Sequence, residues 1–267
     1  MIPTSSFISC AIIIVVGIAL PLGATIWWVK TRKEKVTTVL LGAATWFVFA
    51  VLLEALPKMI LFTPMFGIGQ HVMGNVVLFT VLGALLAGVF EETGRFVVFK
   101  TLLRKRTNNE TSISHGIGHG GFEAMYMMVV TGVQYIVFAN MINDGSFGEM
   151  INTLSATGID TSSYEAVPAT IAAFSIGASL LWCVERVFAM LIHVALSIMV
   201  FYSVRDKKTA YYPLAIVLHA LLDVPAALYQ FGIIRDLWIV EILLAIYSTV
   251  FFVVVYKRIY QMKMQNR

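Results

Sequence analysis

Residues 90–100 read FEETGRFVVFK, two adjacent glutamates and an arginine closing a long apolar run that holds no charge between Asn75 and Phe90. On a helix Glu91 and Arg95 stand i,i+4 and Glu92 and Arg95 i,i+3, so one face carries all three. An ionisable group at membrane depth costs roughly 2.5–3.5 kcal/mol on insertion scales, so it needs a partner and usually a task. A structural ion pair locking two helices is the plain reading; a proton-transferring carboxylate beside a fixed cation is the chemical one.

Three further constellations accompany it. Residues 115–124, HGIGHGGFEA, place His115, His119 and Glu123 in one stripe at i+4 spacing. Gly116, Gly118, Gly120 and Gly121 would let a neighbouring backbone come close. His115, nearest the loop, is expected to be wetted by headgroups. Farther on, Arg186, Ala189, His193 and Ser197 share a face, with Glu185 and Arg186 a candidate structural charge pair. Last, His219 and Asp223 face the same way just before Pro225, where the carboxylate could orient the imidazole or ligate directly.

The elements that must position these residues are membrane spans. The chain has 267 residues, 59% apolar and 13% charged, where about 25% charged is usual for a soluble domain. Its mean hydropathy is +0.84. The expected fold class is all-α: a single polytopic transmembrane helix bundle over 1–267, with the site in 74–229. Apolar runs of spanning length cover 7–29, 36–56, 74–99, 116–141, 184–204, 210–231 and 237–256.

Basic clusters fall after the first, third, fifth and seventh runs, the last comprising Lys257, Arg258, Lys263 and Arg267. Seven spans put all of them on one side. That side is the cytoplasm by the positive-inside rule, with the N-terminus outside, in what we expect to be a bacterial cytoplasmic membrane. Short basic loops of this kind report orientation and not nucleic-acid binding. Residues 167–181 are apolar enough for an eighth span, but that would misplace Arg205–Lys208. They read as an interfacial or re-entrant helix joined to span five near Gly177. Cys10 and Cys183 lack metal spacing and read as inert packing residues.

Depth brings the polar groups together. Counted from the basic ends at 1.5 Å per residue, Glu91, Glu92, Glu123, His193 and His219 lie roughly 12–18 Å into the bilayer. Four spans thus place carboxylates and imidazoles in one slab, with Glu54 and Glu241 toward the other ends. Imidazole and carboxylate are the usual ligands of catalytic zinc, and a glutamate beside the water can take its proton and hand it to a leaving amine. Neither HExxH nor GxSxG is present. A proton-coupled transporter could use the same residues.

The order EETGR, HGxxHGxFEA, a mid-span histidine and HxxxD resembles the YhfC family of intramembrane metalloproteases. It is similar as well to the wider group of type II CAAX prenyl proteases, PrsW proteases and the gamma-secretase scaffold subunit. The resemblance implies an intramembrane endopeptidase acting on a membrane-protein or peptide substrate. It makes Glu91 and Glu92 the catalytic pair, with Glu91 the general base, and Arg95 their basic partner. It makes His193, His219 and Glu123 candidate Zn²⁺ ligands, with His119 and Asp223 supporting them, and the site opening toward the basic side. Prenyl proteases carry arginine four places after the second glutamate, where this chain has Phe96, and their second motif ends in histidine where this chain has Glu123. These departures weigh against CAAX substrates and leave a metal-free, glutamate-activated water open beside zinc. A non-catalytic scaffold of the same fold is the remaining alternative.

Overall fold

A computed structural model describes residues 1–262. Lys263 and Arg267, counted above in the last basic cluster, lie outside the described residues. Seven helices among the described residues are long and apolar enough to cross a membrane. They are α1 (Thr4–Arg32), a second built from α2 (Val36–Trp46), a π-helical stretch (Phe47–Leu53) and α3 (Ala55–Leu61), then α5 (Val76–Lys100), α6 (Glu110–Asp144), α9 (Ile176–Arg205), α10 (Tyr211–Gln230) and α11 (Leu237–Val255), which continues as a π-helical turn (Tyr256–Gln261). Shorter helices are α4 (Gly67–Met73), α7 (Ser146–Ala156) and α8 (Val167–Ala173), and no strand occurs among the described residues. The fold is an all-α polytopic bundle, and the protein is an integral membrane protein.

Local chemistry sets the helix ends. The Asn75 side chain accepts from the amides of Val77 and Leu78, capping α5, and Asp236 caps α11 through Trp238. Lys33 and Lys207 adopt left-handed backbone (φ 53° and 55°) just after α1 and α9. They end those helices beside basic side chains that suit a helix C-terminus.

The segment 167–181 divides between two helices. α8 stops at Ala173 because Phe174 turns to extended backbone, and the Ser175 hydroxyl accepts from the Ala178 amide to start α9. Residues 176–181 are therefore the first turns of span five, and the break, at 174–175, falls near Gly177 as expected.

The chain groups into two units whose boundaries fall inside α1, α6 and α9: Met1–Leu20 with Ala124–Arg186, and Pro21–Glu123 with Val187–Arg267. In the first, Ile13, Met128 and Cys183 form a small core, and the Ile2 amide donates to Asn143 Oδ1 at 2.6 Å. Cys10 and Cys183 are buried free thiols, as expected of packing residues. Glu185 and Arg186 pair with each other there through two guanidinium nitrogens.

The second unit carries every candidate site residue. Its axis is the later part of α9, where each residue from 192 to 203 is buried. A helix buried on all sides should be apolar on all sides, and here the polar exceptions are His193, Ser197, Tyr202 and Ser203.

Glycine lets the other helices approach. A Cβ at Gly118 of α6 would lie 1.9 Å from the Val39 carbonyl oxygen of α2. One at Gly42 of α2 would lie 2.1 Å from the His115 carbonyl oxygen, so the two backbones cross in contact. Lipid tails are as apolar as leucine, so in a membrane such close packing carries much of the helix association. Alanine at Gly118 is accordingly expected to lower stability by about 3 kcal/mol. Gly23→Ala, at a helical position where a Cβ meets nothing within 4 Å, should leave it unchanged or raised. Thermal unfolding of the two variants in detergent micelles measures the difference.

Candidate active site

α5 presents Glu91, Glu92 and Arg95 to the interior, with Glu92 and Arg95 fully inaccessible. α6 adds His115, His119 and Glu123, α9 adds His193 and Ser197, and α10 adds His219 and Asp223. Four imidazoles follow one another through the bundle. Their ring centroids stand 6.0 Å apart from His115 to His119, 5.1 Å from His119 to His193 and 5.7 Å from His193 to His219.

Arg95 ties this set together. Its guanidinium donates to Glu92 Oε1, to His193 Nδ1 at 2.6 Å and to Ser197 Oγ at 3.3 Å. Glu91 Oε2 lies 3.8 Å from the same terminal nitrogen that meets His193. Arginine has donors only, so Nδ1 of His193 must be the accepting nitrogen. That puts the ring proton on Nε2, which Glu123 Oε2 faces at 2.6 Å. Glu92 Oε1 also faces His219 Nδ1 at 2.7 Å, and Glu91 Oε2 faces His119 Nε2 at 2.8 Å. Each glutamate of the adjacent pair thus has its own histidine.

Two expectations change. His115 is wholly buried and not at the headgroups: its ring lies between Thr45 Oγ1 at 3.2 Å and Ser197 Oγ at 3.3 Å, 4.6 Å from the Phe99 ring. The reason is that α6 begins at Glu110, so more than a turn of helix precedes His115, and the α2 backbone crosses at Gly42. Asp223 does not orient His219. Its oxygen is 3.8 Å from Nε2, and Glu92 on α5 supplies the hydrogen bond instead.

Exposure also runs against expectation. The side chains of Glu123 and Asp223 are 18% and 34% accessible, against none for Arg95, Glu92 and His119. Glu123 lies one turn beyond His119 on α6, and Asp223 one turn beyond His219 on α10, both farther from the basic loops. The accessible edge of the site is therefore the one remote from those loops, where the sequence reading expects the opening on the basic side.

Thr45 and Ser197 complete the polar network. Ser197 carries a sequence signal, its i+4 spacing from His193. Thr45, in an apolar run on a different span, carries none.

The profile of the YhfC intramembrane metalloproteases matches residues 15–244. The chain belongs to that family. It is 29% identical over 257 residues to the uncharacterized membrane protein YhfC of Bacillus subtilis (strain 168), covering 92% of this chain and 94% of that one. No solved structure matches.

For a YhfC-family chain the question is whether these residues suit a metal. Glu91, His119 and His193 each offer one donor atom, all within 4.8 Å of one another and all buried. Ligands about 2.1 Å from a single zinc ion stand roughly 3–4 Å apart, so an ion would take the place of Arg95 at His193 Nδ1, which lies 3.9 Å from Glu91 Oε2, and leave the Nε2 proton facing Glu123. Two imidazoles and a carboxylate form a donor set of catalytic type. His119 Nδ1 and Glu92 Oε2 are moreover buried without a hydrogen-bond partner among the described residues, and a buried polar atom left so asks for one. The residues present fit a metal ion. The group includes Glu91, which the sequence reading makes the base, and draws in neither His219 nor Asp223, which that reading counts among the ligands and their support. Glu123 enters through His193 Nε2.

The Arg95–Glu92 pair is fully buried, so removing one partner leaves a charge with no solvent to take it. Glu92→Ala is expected to cost about 3–5 kcal/mol. The double change Glu92→Ala with Arg95→Met should recover much of that, because it removes the stranded charge. Chemical or thermal unfolding of the wild type, both single variants and the double variant closes the cycle.

Proposed function

We propose that the protein is an intramembrane metal-dependent endopeptidase that hydrolyses a peptide bond in or next to the bilayer. The observation that carries this reading is the buried group Glu91, His119 and His193, with Arg95 and Glu92 beside it, brought together from three spans, α5, α6 and α9. Zinc is the metal this donor set favours. A cation held there would supply Lewis acidity, polarising the peptide carbonyl and acidifying nearby water.

The residues divide the remaining work. Glu91 takes the proton as water adds to the carbonyl carbon and returns it to the amine nitrogen as the C–N bond breaks. His119, 2.8 Å from Glu91 Oε2, fixes that carboxylate. Glu123, facing His193 Nε2, keeps the ring proton there and leaves Nδ1 toward the ion, and Glu92 holds both Arg95 and His219, so the geometry is set before a substrate arrives. Water enters from the accessible edge at Glu123 and Asp223. The substrate is a membrane protein or membrane-associated peptide, and the basic loops face the cytoplasm, with the N-terminus outside.

The test compares N-terminal peptides of the membrane proteome in cells expressing the wild type or Glu91→Gln, alongside metal content of the purified proteins. Loss of a proton-transferring carboxylate should reduce formation of product termini by at least about 100-fold. His193→Ala should lose the metal, and Glu91→Gln, which leaves an amide oxygen where the carboxylate donor stood, should hold it more weakly. A set of fragments unchanged by Glu91→Gln would overturn the protease reading. Cleavage insensitive to chelation would replace zinc with the metal-free glutamate mechanism.

A further inference from the structure

A groove of about 600 Å³ runs between α9, α10 and α11, away from the polar network. Its lining spans Leu243 to Ile259 along α11 and its continuation, roughly 24 Å at 1.5 Å per residue. That exceeds the ~15 Å of hydrocarbon in one leaflet. Tyr211, Leu214 and Leu218 form the α10 wall at i, i+3 and i+7. The Tyr247 hydroxyl is turned to the Leu218 carbonyl at 2.8 Å, so what the tyrosine offers the groove is its ring.

The lining discriminates between occupants. Helices associate in lipid through small residues that let backbones meet. This groove contains no glycine, alanine, serine or threonine among its lining residues, only methionine, tyrosine, phenylalanine and branched aliphatics. A second copy or a transmembrane helix would meet bulky side chains and gain little, whereas a flexible acyl chain can follow them. Charge identifies the headgroup. Lys208 Nζ stands 5.6 Å from the Tyr211 ring, at the end of the groove where Ile259 also lies. Lys207, Lys257 and Arg258 are exposed in the same two connecting stretches. These are four cations with no acid among them in 207–210 or 256–262.

We propose that this groove is a binding site for an anionic phospholipid, one acyl chain lying along α10 and α11 and the phosphate held by Lys208 with Arg258. Leu218 is the chain neighbour of His219, so an occupied groove packs the outer face of the turn whose inner face carries the site.

Native mass spectrometry tests this, on full-length protein in detergent incubated with equimolar palmitoyl-oleoyl phosphatidylglycerol and phosphatidylcholine. The wild type should retain one phosphatidylglycerol in preference to phosphatidylcholine, by about fivefold for each engaged basic residue. Lys208→Gln with Arg258→Gln should bring that ratio close to one. Leu214→Trp with Val250→Trp, which fills the groove, should reduce retention of both lipids, thermal unfolding showing that each variant is folded. Equal retention of the two lipids by the wild type, or full retention by the filled groove, would overturn the proposal. So would a dimer that disappears on filling while no lipid is bound, which would make a second copy the occupant.

Discussion

A guanidinium without access to solvent is the constraint around which this bundle is arranged. Arg95 brings a permanent charge and five N–H donors into a region where water cannot serve them. Glu92 on the same helix neutralises it, and α9 supplies the rest, His193 and Ser197. Because arginine only donates, its contacts dictate which nitrogen of His193 carries the proton and so what faces Glu123. The same Glu92 oxygen reaches His219, so α5, α9 and α10 are linked through one cation and its counter-ion, and α6 joins through His119 at Glu91.

Backbone proximity makes those bonds reachable. Side-chain hydrogen bonds near 2.7 Å between helices require axes that approach closely, and beta-carbons would hold them apart. The crossing of α2 and α6 at Gly42 and Gly118 brings Thr45 to His115, and His115 in turn meets Ser197. α9 tolerates neighbours on every side because it is apolar around its circumference, so its few polar side chains are buried with it.

A graded environment results. Arg95, Glu92 and His119 are sealed, while Glu123 and Asp223 keep some access. For the hydrolysis proposed above such a gradient matters. Preformed dipoles act strongly where water is scarce, yet the reaction consumes a water molecule and needs a route for it. Carboxylates at the accessible edge are suited to drawing water inward without flooding the pair at Glu91 and Glu92.

Sequence alone determined the seven spans and the placing of the polar groups on α5, α6, α9 and α10. Hydropathy, helical spacing and the placement of Lys and Arg are local quantities, and the bilayer imposes a fixed thickness on them. Tertiary structure decided the pairings. His219 belongs to Glu92 and not to Asp223 four residues away, because α10 packs against α5 and turns that imidazole toward it. His115 is buried because α2 crosses over it, and Thr45 joins the network from a span whose sequence is otherwise unremarkable. The start of α9 followed from a serine hydroxyl accepting from the Ala178 amide, which hydropathy does not register. Spacing along one helix fixes only which residues share a face; what that face meets depends on where other helices cross, and no local pattern encodes that.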